Sequence, residues 1–358
     1  MDIAVWDPTY PRVDVSPTDL YRQHIDEAVF AERCGFHHYW LFEHHFSPQS
    51  PMPAPNLMTA AIAQHTSRIR LGNMVHVLPY RNPVILAEEI AFLDALTNGR
   101  LDVGVGRGLK PTEFQAFGLS QDESRAMFYE SLEVMTGIWT KEKFNFEGKY
   151  FKVNKETPLC PEPVQKPYPP LYVSAQSRES LQWAAERNLP FGQIDAMIDE
   201  CRADQAFYHQ VQVASGFMKR PRLFLTREVY VAETDEKARE IAYPYLMAYW
   251  QLWTRYAQFT REGAMPDSYE AWRKRAPKLH ALTYSELMEL GMVLVGSPET
   301  VARQVRRHMS ELDPAILVCV FQLGHMPQEM AKTSMQLFAD EVMPIVHDET
   351  GELNAVAR

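Results

Sequence analysis

A short apolar run leads directly into a glycine-rich turn in the stretch Leu101-Asp102-Val103-Gly104-Val105-Gly106-Arg107-Gly108-Leu109. The run is typical of a buried strand, and the glycines would allow the backbone to come close to a ligand. The stretch differs from the Gly-x-Gly-x-x-Gly fingerprint of dinucleotide-binding folds, because Leu109 stands where the last glycine belongs. A Rossmann fold is therefore not expected, and the strand should belong to another α/β architecture.

The pattern of a strand followed by an amphipathic helix recurs along the whole chain on both sides of that stretch. Such alternation favours a parallel sheet wrapped by helices. The predicted strands are Ile3–Trp6, Tyr39–Phe42, Ile69–Leu78, Leu101–Val105, Leu171–Ala175, Leu189–Gly192, Leu223–Val231 and Ile316–Phe321. Strand and helix units in this number and order predict an α/β protein with a (β/α)8 TIM barrel fold.

One large domain is the expected organisation. The chain has 358 residues, 46% of them hydrophobic, and barrels with insertions reach this length around a single core. We expect one barrel domain over residues 1–348 and a disordered polar tail over residues 349–358. Residues 242–291 are rich in Tyr and Trp and predict an insertion between strands seven and eight. This insertion would form either a wall or lid of the active site, or a surface helical hairpin.

Composition and charge exclude several classes of partner. The net charge is −10 with a pI near 5.7, and no basic stripe is present, so no nucleic-acid partner is expected. No apolar run approaches the roughly 18 residues of a membrane helix, and the first residues lack the basic region of a signal peptide. The cysteines lie far apart, which favours neither a disulfide framework nor a zinc site. We therefore predict a cytoplasmic protein with no membrane association and no metal centre.

A pair of histidines follows the second predicted strand, in Glu43-His44-His45. Because side chains alternate along a strand, at most one of the two should face an active site at the carboxyl end of the barrel. A histidine there is a candidate acid or base near neutral pH, and a structural histidine is the alternative.

Arginines and serines of two later turns could bind a phosphate. Arg107 lies in the glycine-rich turn and Arg125 opens the next long helix, although ordinary surface ion pairs are their alternative role. Ser177 and Ser180 follow strand five where a helix begins. Hydroxyl groups, backbone N–H groups and the helix dipole favour a phosphate at such a place, and Ser177 could also cap the helix. Together the four side chains predict a phosphate clamp.

As an ordered set, these motifs resemble the α-subunit of bacterial luciferase over nearly the whole chain. The resemblance is weak only in the proline-rich connection near residues 158–170 and in the aromatic insertion. It rests on Leu41-Phe42-Glu43-His44-His45-Phe46, Val77-Leu78-Pro79 with Asn82-Pro83-Val84, Gly99-Arg100-Leu101, Gly106-Arg107-Gly108-Leu109, Phe114 to Phe117-Gly118, Trp183-Ala184-Ala185-Glu186-Arg187-Asn188-Leu189-Pro190 and Phe338 to Val342-Met343-Pro344. The chain is similar to the luciferase-like flavin-dependent monooxygenases in the order and spacing of these pieces.

The resemblance implies a barrel that holds FMN at its carboxyl-end mouth. It makes His44 the catalytic histidine, acting near a C4a-peroxyflavin, and places a non-proline cis peptide at Met74-Val75. The implied flavin-binding residues are Met74, Val75, Gly106, Arg107, Leu109, Arg125, Ala175, Gln176, Ser177 and Ser180. Family dimers pack through the helices after strands two and three, which implies a homodimer through Ala60, Ala61, Ile62, Ile90, Ala91 and Leu93.

The implied function is a two-component monooxygenase that uses FMNH2 and O2. A separate NAD(P)H:flavin reductase would supply the reduced flavin, because the chain shows no second nucleotide-binding motif. Gly106 stands where luciferase has a cysteine, so we expect no light emission and expect that the glycine leaves space for a substrate. Trp6, Phe46, Met74 and the 243–253 run should line a site for an apolar substrate, a ketone or aldehyde or a compound to be hydroxylated.

Other functions remain possible at this level. An F420-dependent oxidoreductase of the same fold is one, although its acidic cofactor tail would favour a more basic rim. A flavin-binding barrel without turnover is another, and the presence of His44 weighs against it. A metal-dependent hydrolase using Glu43, His44, His65 and His76 is the most remote alternative, because these residues lack the usual spacing of metal ligands.

Overall fold

A closed barrel of parallel strands forms the centre of the molecule. The computed structural model describes residues 1–257 and 266–346, with the side chains of residues 253–257 left out of the description. Its strands are β1 Asp2–Asp7, β2 His38–Leu41, β3 Arg70–Val77, β4 Leu101–Gly106, β5 Phe144–Glu147, β6 Lys152–Lys155, β7 Leu171–Ser174, β8 Phe191–Gln193, β9 Leu223–Val231, β10 Val293–Gly296 and β11 Ile316–Val320. Within these described ranges, eight strands close on themselves in the order β1-β2-β3-β4-β7-β8-β9-β11. The predicted (β/α)8 TIM barrel is confirmed.

Helices cover the outside of the barrel and follow its strands in the chain. They are α1 Pro17–Arg33, α2 Pro55–Ala63, α3 Pro83–Leu96, α4 Pro111–Ala116, α5 Ser124–Thr140, α6 Arg178–Ala185, α7 Ile198–Ala214, α8 Asp235–Ala257, α9 Glu270–His280, α10 Tyr284–Glu289, α11 Pro298–Leu312 and α12 Gln328–Leu337. Proline occupies the first turn of several of them, where its missing N–H costs no hydrogen bond. No helix of the described residues is long and apolar enough to cross a membrane.

Three strands lie outside the predicted set. β5 and β6 form an antiparallel hairpin before the proline-rich connection. β10 pairs with the last residues of β9, beyond the point where β8 leaves that strand. The region predicted as a rim insertion, residues 242–291, contains the end of α8, α9 and α10, and its residues 258–265 lie outside the described part of the chain, as does the predicted tail 349–358.

Large side chains fill the inside of the barrel below its carboxyl-end mouth. Trp6, Trp40, Met74 and Phe224 form one buried cluster there, and the ring of Phe224 packs edge-on against both tryptophans. This cluster, which we name the plug, is a packed core and not a pore. Any ligand site must therefore lie above it, at the carboxyl ends of the strands.

The helices predicted to form a dimer interface turn different residues outward. Ile62, Ile90, Ala91 and Leu93 are buried within the subunit, so the prediction that they meet a partner was wrong. These positions face the barrel, because the helices must bury one stripe against the strands. The apolar side chains that α2 and α3 expose are Leu57, Ile85, Phe92 and Leu96.

Candidate active site

A cavity of about 190 Å³ opens at the carboxyl end of the barrel, above the aromatic plug. Most of the residues predicted to bind flavin line it: Met74, Val75, Gly106, Arg107, Leu109, Gln176, Ser177 and Ser180. His44 also lines this cavity, whereas His45 instead bonds to Glu43 through Nε2 at 2.8 Å. The strand ends thus bring together residues that are far apart in sequence.

Two of the predicted residues lie outside the cavity lining. Ala175 is fully buried, and its carbonyl oxygen accepts a hydrogen bond from Gln193 Nε2 at 3.0 Å. Arg125 lies in a smaller cleft that also contains Arg107 and Ser180, and one of its terminal nitrogens is 3.7 Å from Glu179 Oε2. Arg125 is therefore a neighbour of the cavity rather than a part of its wall.

One end of the cavity has the character of an anion site. The Nη1 atom of Arg107 is buried without a hydrogen-bond partner in the described residues. Ser177 caps α6 by accepting from the Ser180 N–H at 3.3 Å, and the two hydroxyl oxygens are 3.0 Å apart. A buried cationic donor beside a helix N-terminus that carries hydroxyl groups is the arrangement that a phosphate satisfies.

Residues of the rim contact this anion site directly. We name residues 266–280 the rim segment. The guanidinium carbon of Arg107 lies 3.9 Å from the centre of the Tyr269 ring, and the Ser268 carbonyl accepts from Arg107 at 3.3 Å and from Arg125 at 3.5 Å. Tyr269 and Trp272 also line the cavity. Part of the predicted insertion thus forms a wall of the cavity.

His44, which lines the same cavity, is paired with a carboxylate. Its Nδ1 lies 3.3 Å from Glu113 Oε1, and its ring stacks on Phe42 at 5.6 Å. Burial lowers the pKa of His44, and the nearby Lys110 ammonium lowers it further. Burial alone would raise the pKa of Glu113, but its hydrogen bonds with His44 and the His45 N–H, together with the nearby charge of Lys110, outweigh this effect and leave the pKa lowered. At neutral pH the pair is therefore a neutral imidazole beside an ionised carboxylate.

The charge pattern fixes the tautomer of His44. An ionised Glu113 can only accept, so Nδ1 of His44 carries the proton and donates it to that carboxylate. The Nε2 atom is then an acceptor, and no hydrogen bond reaches it from the described residues. Glu113 is held in turn by the backbone N–H of His45 at 3.1 Å and by the Tyr80 hydroxyl at 3.3 Å.

Gly106 does not leave the open space that the sequence suggested. A Cβ atom at this position would lie 2.5 Å from Cγ2 of Val75, so the Val75 side chain already occupies that volume. The expectation of extra room for a substrate beside Gly106 was wrong, because β3 and β4 approach each other closely here. The Met74-Val75 peptide bond is cis, as the resemblance implies.

The predicted substrate-lining residues are only partly in place. Phe46 is 76% exposed and Trp6 belongs to the plug below, so neither lines the cavity, while Met74 does. From the 243–253 run, Tyr249 lines a second, smaller cavity.

Several cavity residues were missed by the sequence reasoning. Lys110 and Glu113 belong to the turn and short helix after β4, and Asp195 follows β8. Their position beyond the carboxyl ends of barrel strands was the available signal, since polar residues there face the mouth. No group of three or more potential metal ligands occurs in residues 1–257 and 266–346.

Comparison with known proteins places this site in a family. The model of the family described as luciferase-like monooxygenase matches residues 1–312. A 2,5-diketocamphane 1,2-monooxygenase of Pseudomonas putida is 29% identical, with 92% of this chain and 96% of the relative covered. The oxygenase component of a flavin-dependent trigonelline monooxygenase of Acinetobacter baylyi is 29% identical over 62% of each chain.

Solved structures share the fold. The oxygenating constituent of 3,6-diketocamphane monooxygenase from Pseudomonas putida, in complex with FMN, has a TM-score of 0.79 and 24% identity, with 96% of this chain and 98% of that chain covered. An F420-dependent tetrahydromethanopterin reductase from Methanopyrus kandleri has a TM-score of 0.71 and 18% identity, with the same coverage. At these identities the structures establish the barrel alone. The family match over residues 1–312, on a barrel whose mouth carries these residues, shows that the chain belongs to the luciferase-like monooxygenases.

Proposed function

We propose that this protein is the oxygenase of a two-component system, which binds reduced FMN and uses O2 to oxygenate an organic substrate without emitting light. The observation that carries the proposal is the buried, unpartnered Nη1 atom of Arg107, in the same cavity as Ser177, Ser180 and His44. A buried guanidinium N–H without an acceptor is costly, and a phosphate group would supply the missing acceptor. The residues present therefore fit FMN.

The chain's own groups would hold and surround the cofactor. Arg107 and the N-terminus of α6 would bind the phosphate, and Met74 and Val75 would form the wall against the flavin ring. Reduced FMN, when bound, supplies the electrons that activate O2. The buried cavity walls would exclude water from the reaction.

His44 would serve as a proton acceptor on the cavity side. Its Nδ1 is bonded to Glu113, so its Nε2 accepts a proton from the substrate or a reacting oxygen, and Glu113 stabilises the imidazolium that forms. Glu113 is in this role a positioning residue, because it acts through His44.

A separate flavin reductase is part of the proposal. The relative that acts on trigonelline is by its name an oxygenase component. The sequence contains no second nucleotide-binding fingerprint. Reduced flavin would therefore be made elsewhere and bound from solution.

We propose a homodimer through the exposed faces of α2 and α3. Leu57 is 74% exposed and Phe92 is 56% exposed, although both are large and apolar. Replacing both by Lys should turn a dimer into a monomer in sedimentation at micromolar concentration, whereas the same change at Val164, on the proline-rich connection, should not. A wild-type monomer would contradict the dimer.

Anaerobic titration tests the cofactor. We expect FMNH2 to quench the protein's fluorescence with a saturable dissociation constant, and reduced F420 to bind more weakly. Admission of O2 should then reoxidise bound flavin through a phase that free FMNH2 lacks. In His44→Ala the FMNH2 affinity should stay within about twofold of wild type, while the reoxidation phase of the bound flavin should differ from that of wild type. His45→Ala serves as the matched control. Tight binding of F420 without binding of FMNH2 would overturn the proposal in favour of an F420-dependent oxidoreductase.

A further inference from the structure

A second cavity adjoins the first at His44 and is not lined by Arg107, Ser177 or Ser180. Its volume is about 60 Å³, and its walls include Tyr10, Tyr249 and Leu252. It shares five wall residues with the larger cavity: Phe42, His44, Lys110, Ile194 and Asp195. A substrate that reaches His44 from this side would have its far end against these walls.

Asp195 is the acidic group in the shared wall. Asp195 is only 8% exposed, yet it lines both cavities. Within residues 1–257 and 266–346, no donor forms a hydrogen bond with its carboxylate. A buried carboxylate that accepts no hydrogen bond from the protein is costly, unless a ligand supplies the donor.

The nearby arginines do not fill this role, because neither donates a hydrogen bond to the Asp195 carboxylate, although Arg275 Nε and Arg227 Nη2 are themselves buried without a partner in the described residues. Arg275 donates to the backbone oxygen of Asp195 at 2.5 Å, to Glu200 Oε2 at 3.0 Å and to Gln176 Oε1 at 3.3 Å. Arg227 points away from the barrel interior, where its Nε donates to His308 Nε2 at 2.9 Å. Both lower the pKa of the Asp195 carboxyl, but burial dominates and raises it to about 6.

A second buried carboxyl group interacts electrostatically with Asp195. Glu228 lies on β9 at the same face as Phe224, which puts it toward the barrel interior above the plug. Burial and the charge of Asp195 raise the pKa of Glu228 to about 8. Near neutral pH the two carboxyl groups therefore carry about one negative charge between them, on the Asp195 side.

We propose that the substrate carries a protonated amine, which donates to the Asp195 carboxylate while the rest of the molecule fills the apolar space beside His44. This inference rests on the proposed function, whose substrate class it specifies, and it replaces the expectation of a wholly apolar substrate. The opposite charge in the wall, Lys110, is only partly compensated: its ammonium donates to Ser47 Oγ at 3.2 Å and lies 3.8 Å from Glu113. Tyr10 and Tyr249 also line this cavity, with their ring centres 5.1 Å apart.

Calorimetric titration of the flavin-free full chain with three matched probes tests this subsite. The probes are benzylamine, benzyl alcohol and benzoate, which share a skeleton and differ in charge. We expect benzylamine to bind at least about tenfold more tightly than benzyl alcohol, the effect of a charge-assisted hydrogen bond. In Asp195→Asn this preference should disappear, whereas Asp199→Asn, at an exposed carboxylate of the following helix, should keep it.

FMN affinity is measured on the same variants and separates the two proposals. If wild type binds FMN but does not prefer the amine, the amine subsite is wrong and the flavin proposal stands. If Asp195→Asn loses FMN and benzylamine affinity equally, Asp195 serves the flavin, and the subsite is again overturned. If benzoate binds most tightly, Lys110 rather than Asp195 sets the charge preference of the subsite, and the proposal is overturned. Should Asp195→Asn fail to fold, Lys110→Met provides the second variant: removal of the nearby cation should tighten benzylamine binding about threefold, and an unchanged constant contradicts the proposal.

Discussion

Charged side chains at the two ends of the barrel differ in whether their hydrogen-bonding groups are paired. At the amino end, Asp102 at the start of β4 accepts from Arg70 at 2.9 and 2.7 Å and bonds to His38 Nδ1 at 2.9 Å, while His38 Nε2 reaches Asp2 at 3.1 Å. At the carboxyl end, Arg107, directly after the same strand, has a buried terminal nitrogen without a partner. Charged groups at the start of β4 are thus hydrogen-bonded to one another, whereas Arg107, directly after its end, keeps an unpartnered donor.

The difference shows which charges hold the fold and which await a ligand. Charges at the amino end are mutually compensated, so removing one should cost stability and leave binding unaffected. Charges at the mouth are buried at the expense of stability, so removing one should cost binding and leave the fold intact or improved. Each prediction below tests this separation, beginning with the largest expected effect.

Asp102→Ala should be the most destabilising change. It would leave Arg70 and the buried His38 without their shared carboxylate, at a cost of about 3 kcal/mol in the free energy of unfolding. Urea denaturation measures that cost. The FMN dissociation constant of the folded variant should remain within about twofold of wild type, and a large loss of FMN affinity would show that the two ends are coupled.

Arg107→Ala should weaken FMN binding about 30-fold, because about 2 kcal/mol of charge-assisted hydrogen bonding to the phosphate is lost. Its melting temperature should change little, since the buried, unpartnered nitrogen goes as well. Arg125→Ala is the matched control, and its effect on FMN affinity should be smaller because Arg125 lies beside the cavity and pairs with Glu179. Equal losses in both variants would make Arg125 a full member of the clamp.

His38 should make stability fall as pH rises. Burial alone would lower the pKa of His38, but its hydrogen bonds to Asp102 and Asp2 outweigh that effect and raise the pKa. The folded state therefore binds this proton more tightly, and the stabilisation is complete below about pH 6 and is lost as pH rises through the raised pKa. The difference in unfolding free energy between wild type and His38→Asn, measured from pH 5 to 9, should shrink toward the alkaline side. A flat difference would remove His38 from the network.

His44 should give a slope of the opposite sign. Burial lowers its pKa, so the unfolded state binds the proton more readily, and stability is lost as pH falls below about 6.5. The free energy of unfolding of wild type minus that of His44→Asn should therefore decrease as pH falls from 7 to 5. Slopes of the same sign for His38 and His44 would contradict the contrast between the two ends.

The barrel could be predicted because most of its strands contain a short apolar run. Of the strands that escaped prediction, Phe144–Glu147 alternates apolar and polar residues, whereas Val293–Gly296 is apolar but lies outside the closed barrel and pairs only with the end of β9. Helix faces were predicted less well than helices. Ile90 and Leu93 turn inward because the strands beneath them set the rotation of α3, which the composition of that helix does not reveal.

Site residues that belong to a sequence motif were predicted. Site residues that meet only because the barrel closes were missed. Arg107 and Ser177 belong to recognisable turns, whereas Glu113 meets His44 across 69 residues of sequence. Asp195 follows a three-residue strand and belongs to no motif. The volume beside Gly106 was misjudged because it depends on Val75, a residue of the neighbouring strand.

The contact of Ser268 with Arg107 would make cofactor uptake partly an exchange. The Ser268 carbonyl accepts from Arg107 Nη2, so a phosphate that took this donor would replace one acceptor by another, while its bond to the unpartnered Nη1 would be a new one. An oxygenase that must receive reduced flavin and return oxidised flavin in every turnover benefits from such a balance, because neither form is held so tightly that release limits the cycle. Substituting the rim segment should thus alter the exchange rate of flavin more than the chemistry at His44.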